Sequence, residues 1–213
     1  MFDQDGTLYP ADSRLAFATR EKTKSWLMGK LRITRQDVDS LYQNLASNYP
    51  NPFHGFQSIG ASVSEYHSQV FDTINPCDYL SYDVKLRKVL LKLPQVKFVV
   101  TLASPLYSKL LQRCLGIADL IEKIYYVKDF APDYSKKRCY EIIAKTLRID
   151  TSYLSIVGDN FNLDIAPALD VGCTAIHISN VPIPGAHDTI STVYELVDIF
   201  TDSKLRSDEY GNK

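Results

Sequence analysis

The chain has 213 residues, with 24 Lys and Arg against 25 Asp and Glu and a formal net charge of -1. That length admits one or two domains and a real core, and the balanced charge argues against a polyanion-binding surface, so no nucleic-acid polymer is expected as a partner. No apolar run approaches the roughly 20 residues that span a bilayer, and no signal-like segment opens the chain, so a cytoplasmic protein without a membrane partner is expected.

The chain opens "MFDQDGTLYP". Only Met1 and Phe2 precede Asp3, so the first strand is expected to be very short or to lack an upstream segment. A helical texture follows. "SRLAFATREKTKSWLMGKL" places Leu15, Ala18, Trp26, Leu27 and Leu31 at helical spacing. "TRQDVDSLYQNLASNY" begins with Thr34 as N-cap and Asp37 three residues on, an acidic form of the capping box. "SIGASVSEYHSQVFDTI" is a third helix, with Val63, Tyr66 and Val70 on one side.

After Tyr79 strands and helices alternate. "SYDVKLRKVLLKL" reads as an amphipathic helix, "VKFVVTL" as a buried strand, and "SPLYSKLLQRCLG" as a helix ended by Gly116. "IEKIYYV", "YLSIVGD" and "CTAIHIS" read as strands, while "SKKRCYEIIAKTLRI", "NLDIAPALDVG" and "TISTVYELVDIF" read as helices. The tail "TDSKLRSDEYGNK" is polar and expected to fray. This alternation implies right-handed βαβ units and a doubly wound parallel sheet, buried on both faces. The α/β core is expected over 1–11 and 80–213, with a helical cap, 12–79, inserted after the first strand. Cys77, Cys114, Cys139 and Cys173 are far apart and form no CxxC pair. They are expected to be thiols buried in the core, not zinc ligands.

In such sheets ligands bind beyond the carboxyl ends of the strands. Three polar clusters fall there: Asp3 and Asp5; Thr101; and Gly158, Asp159, Asn160 and Asp164. Four carboxylates in one crevice repel one another unless a cation sits among them. A hard divalent ion with oxygen ligands solves this, and Mg2+ commonly binds one or two carboxylates together with a substrate phosphate. Residues two apart in an extended segment point the same way. Asp3 can therefore act as a nucleophile while Asp5 protonates the leaving oxygen and later activates water. Gly6 allows a sharp turn, and Thr7 can bond the loop.

Together "FDQDGTLYP", "VVTLAS" and "VGDNFNLD" resemble the haloacid dehalogenase-like (HAD) superfamily, through its DxDGT signature, its strand-terminal Thr and its GDxxxxD element. The stretch "DYLSYDVKLRKVLLKLPQVKFVVTLAS" and the helical insertion look like the pyrimidine 5′-nucleotidase-like branch. The resemblance implies a HAD-like Rossmannoid fold and a Mg2+-dependent phosphomonoesterase. Its substrate would be a small phosphorylated metabolite, with a nucleoside 5′-monophosphate as the favoured class. Asp3 would form an aspartyl-phosphate and Asp5 would be the general acid/base. Thr101 would bind the phosphoryl group, with Gly6, Thr7 and Leu102 lining the substrate. Asp3, Asp5 (through its carbonyl), Asp159 and Asp164 would serve the metal. The dehalogenases lack an acid at the position of Asp5.

Two departures stand out. The third family motif, a Lys before a helix, falls by count at Tyr134; the nearest lysines are Lys128, Lys136 and Lys137, of which Lys136 is favoured. Leu102 stands where the branch usually carries Asn. In the cap, Phe53 and His54 of "NYPNPFHGF" are candidates to stack on a flat group, against the plainer reading of core packing between cap and sheet. A monomer or homodimer is expected. The alternative is a weak or inactive HAD-fold protein that binds a phosphorylated ligand or a protein partner, unless a lysine amine reaches Asp3.

Overall fold

The computed structural model describes residues 1–49 and 51–200. Its centre is the opening segment. Phe2 N donates to Phe98 O, Val100 N to Phe2 O, Asp3 N to Val157 O and Val157 N to Met1 O. Three residues thus bridge two strands, β3 (Phe98–Thr101) and β5 (Ser155–Gly158), in parallel on both sides. This segment stands where the central strand would run. Asp3 emerges from the middle of the sheet at its carboxyl edge.

Outward from β3 lies β4 (Lys123–Tyr126); outward from β5 lie β6 (Thr174–Ile178) and β7 (Asp188–Ile190), all parallel. All four residues of β3 are buried, as a strand covered on both faces requires. Two short strands, β1 (Asp5–Gly6) and β2 (Tyr9–Pro10), make a small flap after Asp3.

Local chemistry sets the helix ends. The helix α1 (Arg14–Leu31) is capped by the Ser13 side chain, which accepts from Ala16 N. In α2 (Arg35–Ser47) the Thr34–Asp37 capping box forms as expected. Two shorter helices, α3 (Pro52–Ser58) and α4 (Val63–Gln69), complete the cap. In the core, α5 (Val84–Lys92) buries Leu86, Val89 and Leu90, the one-sided spacing of an amphipathic helix. The next helix, α6 (Pro105–Leu115), ends at Gly116 with φ 72°, a conformation open to glycine. Then come α7 (Val127–Phe130), α8 (Lys136–Leu147) and α9 (Ala166–Asp170).

Two apolar clusters sandwich the sheet. One contains Leu86, Val99, Tyr107 and Leu111 from the core and runs on into Leu15, Phe53, Phe56 and Tyr66 of the cap. The other holds Val100, Tyr125, Ile143, Ile156 and Ala175. The architecture is the doubly wound α/β sheet expected from the alternation.

Two expectations change. Thr189 and Ile190, read as the start of a helix, belong to the edge strand β7, because these β-branched residues pair with His177 and Ile178. Cys77 and Cys114 are not thiols but a disulfide, with Cα atoms 5.3 Å apart. Linear spacing carries no trace of this pair; packing of the 3-10 turn Pro76–Asp78 beside α6 brings the two within bridging range. Cys139 and Cys173 are buried thiols, as expected. The tail 201–213, expected to fray, lies outside the described residues. No helix among the described residues is long and apolar enough to cross a membrane.

Candidate active site

The carboxyl ends of the opening segment, β3 and β5 meet at Asp3. Its Oδ1 accepts from Lys136 Nζ at 2.5 Å, and the same amine lies 2.6 Å from Asp164 Oδ1. Thr7 Oγ1 donates to Asp3 Oδ2 at 3.4 Å and to Asp159 Oδ1 at 3.2 Å. Oxygens of Asp3, Asp159 and Asp164 lie within 4.8 Å of one another. Lys136 is 5% exposed, so this is a buried ion cluster and not a surface pair.

Lys136 reaches Asp3 because α8 begins at that residue, and the turn before it passes through Tyr134 at φ 52°. Lys128 contacts exposed Asp129, and Lys137 contacts Asp170, so neither is the lysine paired with Asp3.

Two glycines make room for the cluster. Gly6 has φ 92°, and a Cβ there would collide with the Asp159 carboxylate. A Cβ on Gly158 would collide with Asp164. Asp164 is further held by Asn160 N, which donates to its Oδ2 at 3.1 Å. His177 Nε2 donates to the Asp159 carbonyl at 3.0 Å, bracing the loop that carries this carboxylate.

The electrostatics follow from burial and crowding. Burial, and then the charges of Asp3 and Asp164, push Asp159 up to about 7. Burial raises Asp164 to about 6, against the pull of Lys136. Burial opposes the charge on Lys136, but Asp164 and Asp3 outweigh it and hold the amine well above its ordinary value. One lysine among three carboxylates leaves net negative charge in a cramped, oxygen-only donor set. Such a set could hold a hard divalent cation.

Asp5 stands apart. Its Oδ1 accepts from Tyr9 OH at 2.7 Å and from Tyr107 OH at 3.1 Å, and its Oδ2 from Gln4 Nε2 at 3.2 Å. Burial and the Asp3 charge raise it to about 6, a value suited to a group that gives and takes a proton near neutrality. Burial and the Asp5 charge keep both phenols well above their usual range, so they act as donors. Asp3 and Asp5 thus face different partners.

Thr101 is buried at the end of β3, and Ala103 N donates to its Oγ1 at 3.0 Å. Leu102 follows, and its carbonyl accepts from His67 Nε2 of the cap at 2.9 Å. Leu102, His54, Asn51, Tyr134 and Lys136 line a cavity of about 300 Å³ between cap and core. Phe53 does not reach it. That residue is 1% exposed, packed on Tyr66, His67 and Tyr134, and has no face to offer a ligand. A second cavity, of about 400 Å³, opens on the other side of the cluster between Thr7, Asp12, Asp159, Asn180 and Tyr194. Sequence reading gave no site role to Tyr9, Tyr107, His67, Tyr134 or His177; packing brings each of them to the site.

No known family profile matches the sequence, and no curated protein sequence matches it. Solved structures do. A HAD phosphatase from Thermococcus onnurineus superposes with a TM-score of 0.57 at 20% identity, over 93% of this chain and 95% of that one. YfnB of Bacillus subtilis, assigned to the HAD hydrolases and solved bound to magnesium, gives 0.61 at 13% identity, over 94% and 96%. The L-2-haloacid dehalogenase of Xanthobacter autotrophicus gives 0.57 at 14%, over 94% and 96%. The chain therefore has the HAD-like Rossmannoid fold. Its neighbours include both a phosphatase and dehalogenases, so the fold leaves the reaction open.

Proposed function

We propose that the protein is a Mg2+-dependent phosphomonoesterase that acts on a small phosphorylated metabolite through an aspartyl-phosphate on Asp3. The observation that carries this reading is the buried contact of Lys136 with Asp3 inside the acidic cluster. A lysine there keeps the nucleophile ionised and adds positive charge where a phosphoryl group would arrive. Asp5 favours phosphoryl transfer over dehalogenation, because the resemblance gives dehalogenases no acid at this position.

An Asp3 oxygen attacks phosphorus, and the bond from phosphorus to the leaving oxygen breaks. Asp5, released from a phenol, gives that oxygen its proton. Asp5 then takes a proton from water as the water oxygen attacks the aspartyl-phosphate, which frees phosphate and restores Asp3. Thr101 and Lys136 hold the transferring group. Asp3 and Asp159, with the Asp5 carbonyl, would hold Mg2+, whose charge offsets that of the phosphate; Asp164 positions Lys136. A nucleoside monophosphate is the favoured substrate, from the resemblance alone. The alternative of a weak or non-catalytic binder rested on a displaced lysine and a short first strand. A lysine within salt-bridge range of Asp3 speaks against it.

The test is phosphate release from p-nitrophenyl phosphate with Mg2+ or EDTA, for wild type and Asp3→Asn. Turnover that needs the metal and vanishes in the variant is expected. No turnover from folded, metal-loaded protein would overturn the reading.

A further inference from the structure

Tyr134 occupies the place where the resemblance puts the lysine, and it has been given to the cap. Its ring lies 5.1 Å from Phe53 at 85°, edge on, and 6.1 Å from His54. Gln57 Nε2 donates to its hydroxyl at 3.4 Å, and Asn51 Nδ2 to its carbonyl at 3.5 Å. Phe53, His54 and Gln57 lie on α3 and Asn51 caps it, so one core residue is held by a single cap element. The two polar contacts are long, so the ring packing dominates. Tyr134 packs against both apolar clusters, one on each face of the sheet.

The backbone at this point is unusual. A positive φ at a bulky residue is a rare conformation that persists only when its surroundings hold it. Two residues later the chain enters α8 with Lys136 directed at Asp3. Within Ala131–Lys136, hydrogen bonds from Tyr134 N to Ala131 O (2.9 Å) and from Ser135 N to Asp133 Oδ1 (3.2 Å) shape the turn. Ser135 gives α8 no side-chain cap, so the helix start is not fixed from within.

We propose that Tyr134 is a positioning residue: α3 of the cap grips its ring and so fixes the turn that delivers Lys136 to Asp3. The cap then does more than cover the crevice. Its docking completes the electrostatics of the nucleophile. This rests on the phosphatase reading for its catalytic consequence, but its structural core does not.

Two double-mutant cycles test it. On p-nitrophenyl phosphate, Tyr134→Ala is expected to lower kcat roughly 10- to 100-fold, the scale of a small misplacement of a reacting group, with a lesser change in KM. Tyr134→Phe keeps the ring and is expected to recover most of that loss. In a Lys136→Met background, Tyr134→Ala should cost little more, because its effect passes through the lysine. Equal factors in both backgrounds, or a Phe variant as poor as Ala, would overturn the proposal. The second cycle reads melting temperature in the metal-free protein and needs no turnover. Lys136→Met should shift it less in Tyr134→Ala than in wild type. Identical shifts would sink the proposal, whereas coupled shifts in a protein without turnover would sink only the phosphatase reading.

Discussion

The Lys136 amine and the Asp3 carboxylate form a 2.5 Å ion pair that spans 133 positions of sequence and is almost closed to solvent. Lys136 also holds Asp164 at 2.6 Å, so its removal strands two buried carboxylates. Breaking a buried pair from one side typically costs about 3–5 kcal/mol. Loss of a preorganised charge typically costs about 10² to 10³ in rate. Lys136→Met should therefore show both effects, read by denaturant melts and by kcat on p-nitrophenyl phosphate. A variant with near-native turnover would exclude Lys136 from the chemistry.

The crowded carboxylates make an unusual pH dependence. Asp5 and Asp164 rise to about 6 and Asp159 to about 7, all from an ordinary 3.8. Between about pH 4 and 7 the folded, metal-free protein binds more protons through these groups than the unfolded chain does. Their contribution to stability thus falls as pH rises through that window. In EDTA, raising the pH from 5 to 8 should cost melting temperature, and Asp159→Asn should flatten the decline. A divalent cation at 100 times its Kd adds about 2.7 kcal/mol, roughly 5–10 °C for a chain of this size. That gain should be larger at pH 8 than at pH 5, where protons compete for the same oxygens.

Gly6→Ala tests the approach of the flap to Asp159. The residue sits at φ 92°, and an added Cβ would meet the Asp159 carboxylate. Strain and collision act together here, so metal-dependent stabilisation and turnover should both fall by at least about tenfold in apparent metal affinity, the lower range for a disturbed metal site. Gly29→Ala, where a Cβ would meet nothing within 4 Å, is the control and should change neither.

The Cys77–Cys114 bond closes a loop of sequence separation 37 and ties the return from the cap to α6. Cross-links over such loops typically contribute about 2–4 kcal/mol, chiefly by restricting the unfolded chain. Reduction with dithiothreitol, or the double variant Cys77→Ser with Cys114→Ser, should lower the denaturation midpoint by a matching amount. A thiol assay on unreduced, unfolded protein should count two free cysteines; four would refute the bond.

By itself the sequence determined the alternation of strands and helices and the parallel sheet. Apolar runs such as Phe98–Thr101 and the Thr34–Asp37 capping box act over a few residues and can be read locally. It also placed Asp3, Thr101, Asp159 and Asp164 at strand ends, because a doubly wound sheet brings those ends to one edge. Tertiary structure decided the rest. Lys136 is the lysine at Asp3 because a left-handed turn at Tyr134 resets the start of α8, and the cap that packs on that turn lies some 80 residues away in sequence. Asp5 accepts from Tyr9 and Tyr107 because the packing of α6 brings Tyr107, 102 positions away, to its carboxylate. Phe53 went into the interface and Cys77 met Cys114 for the same physical reason. Burial and contact depend on which surfaces meet in space, and linear spacing does not encode that.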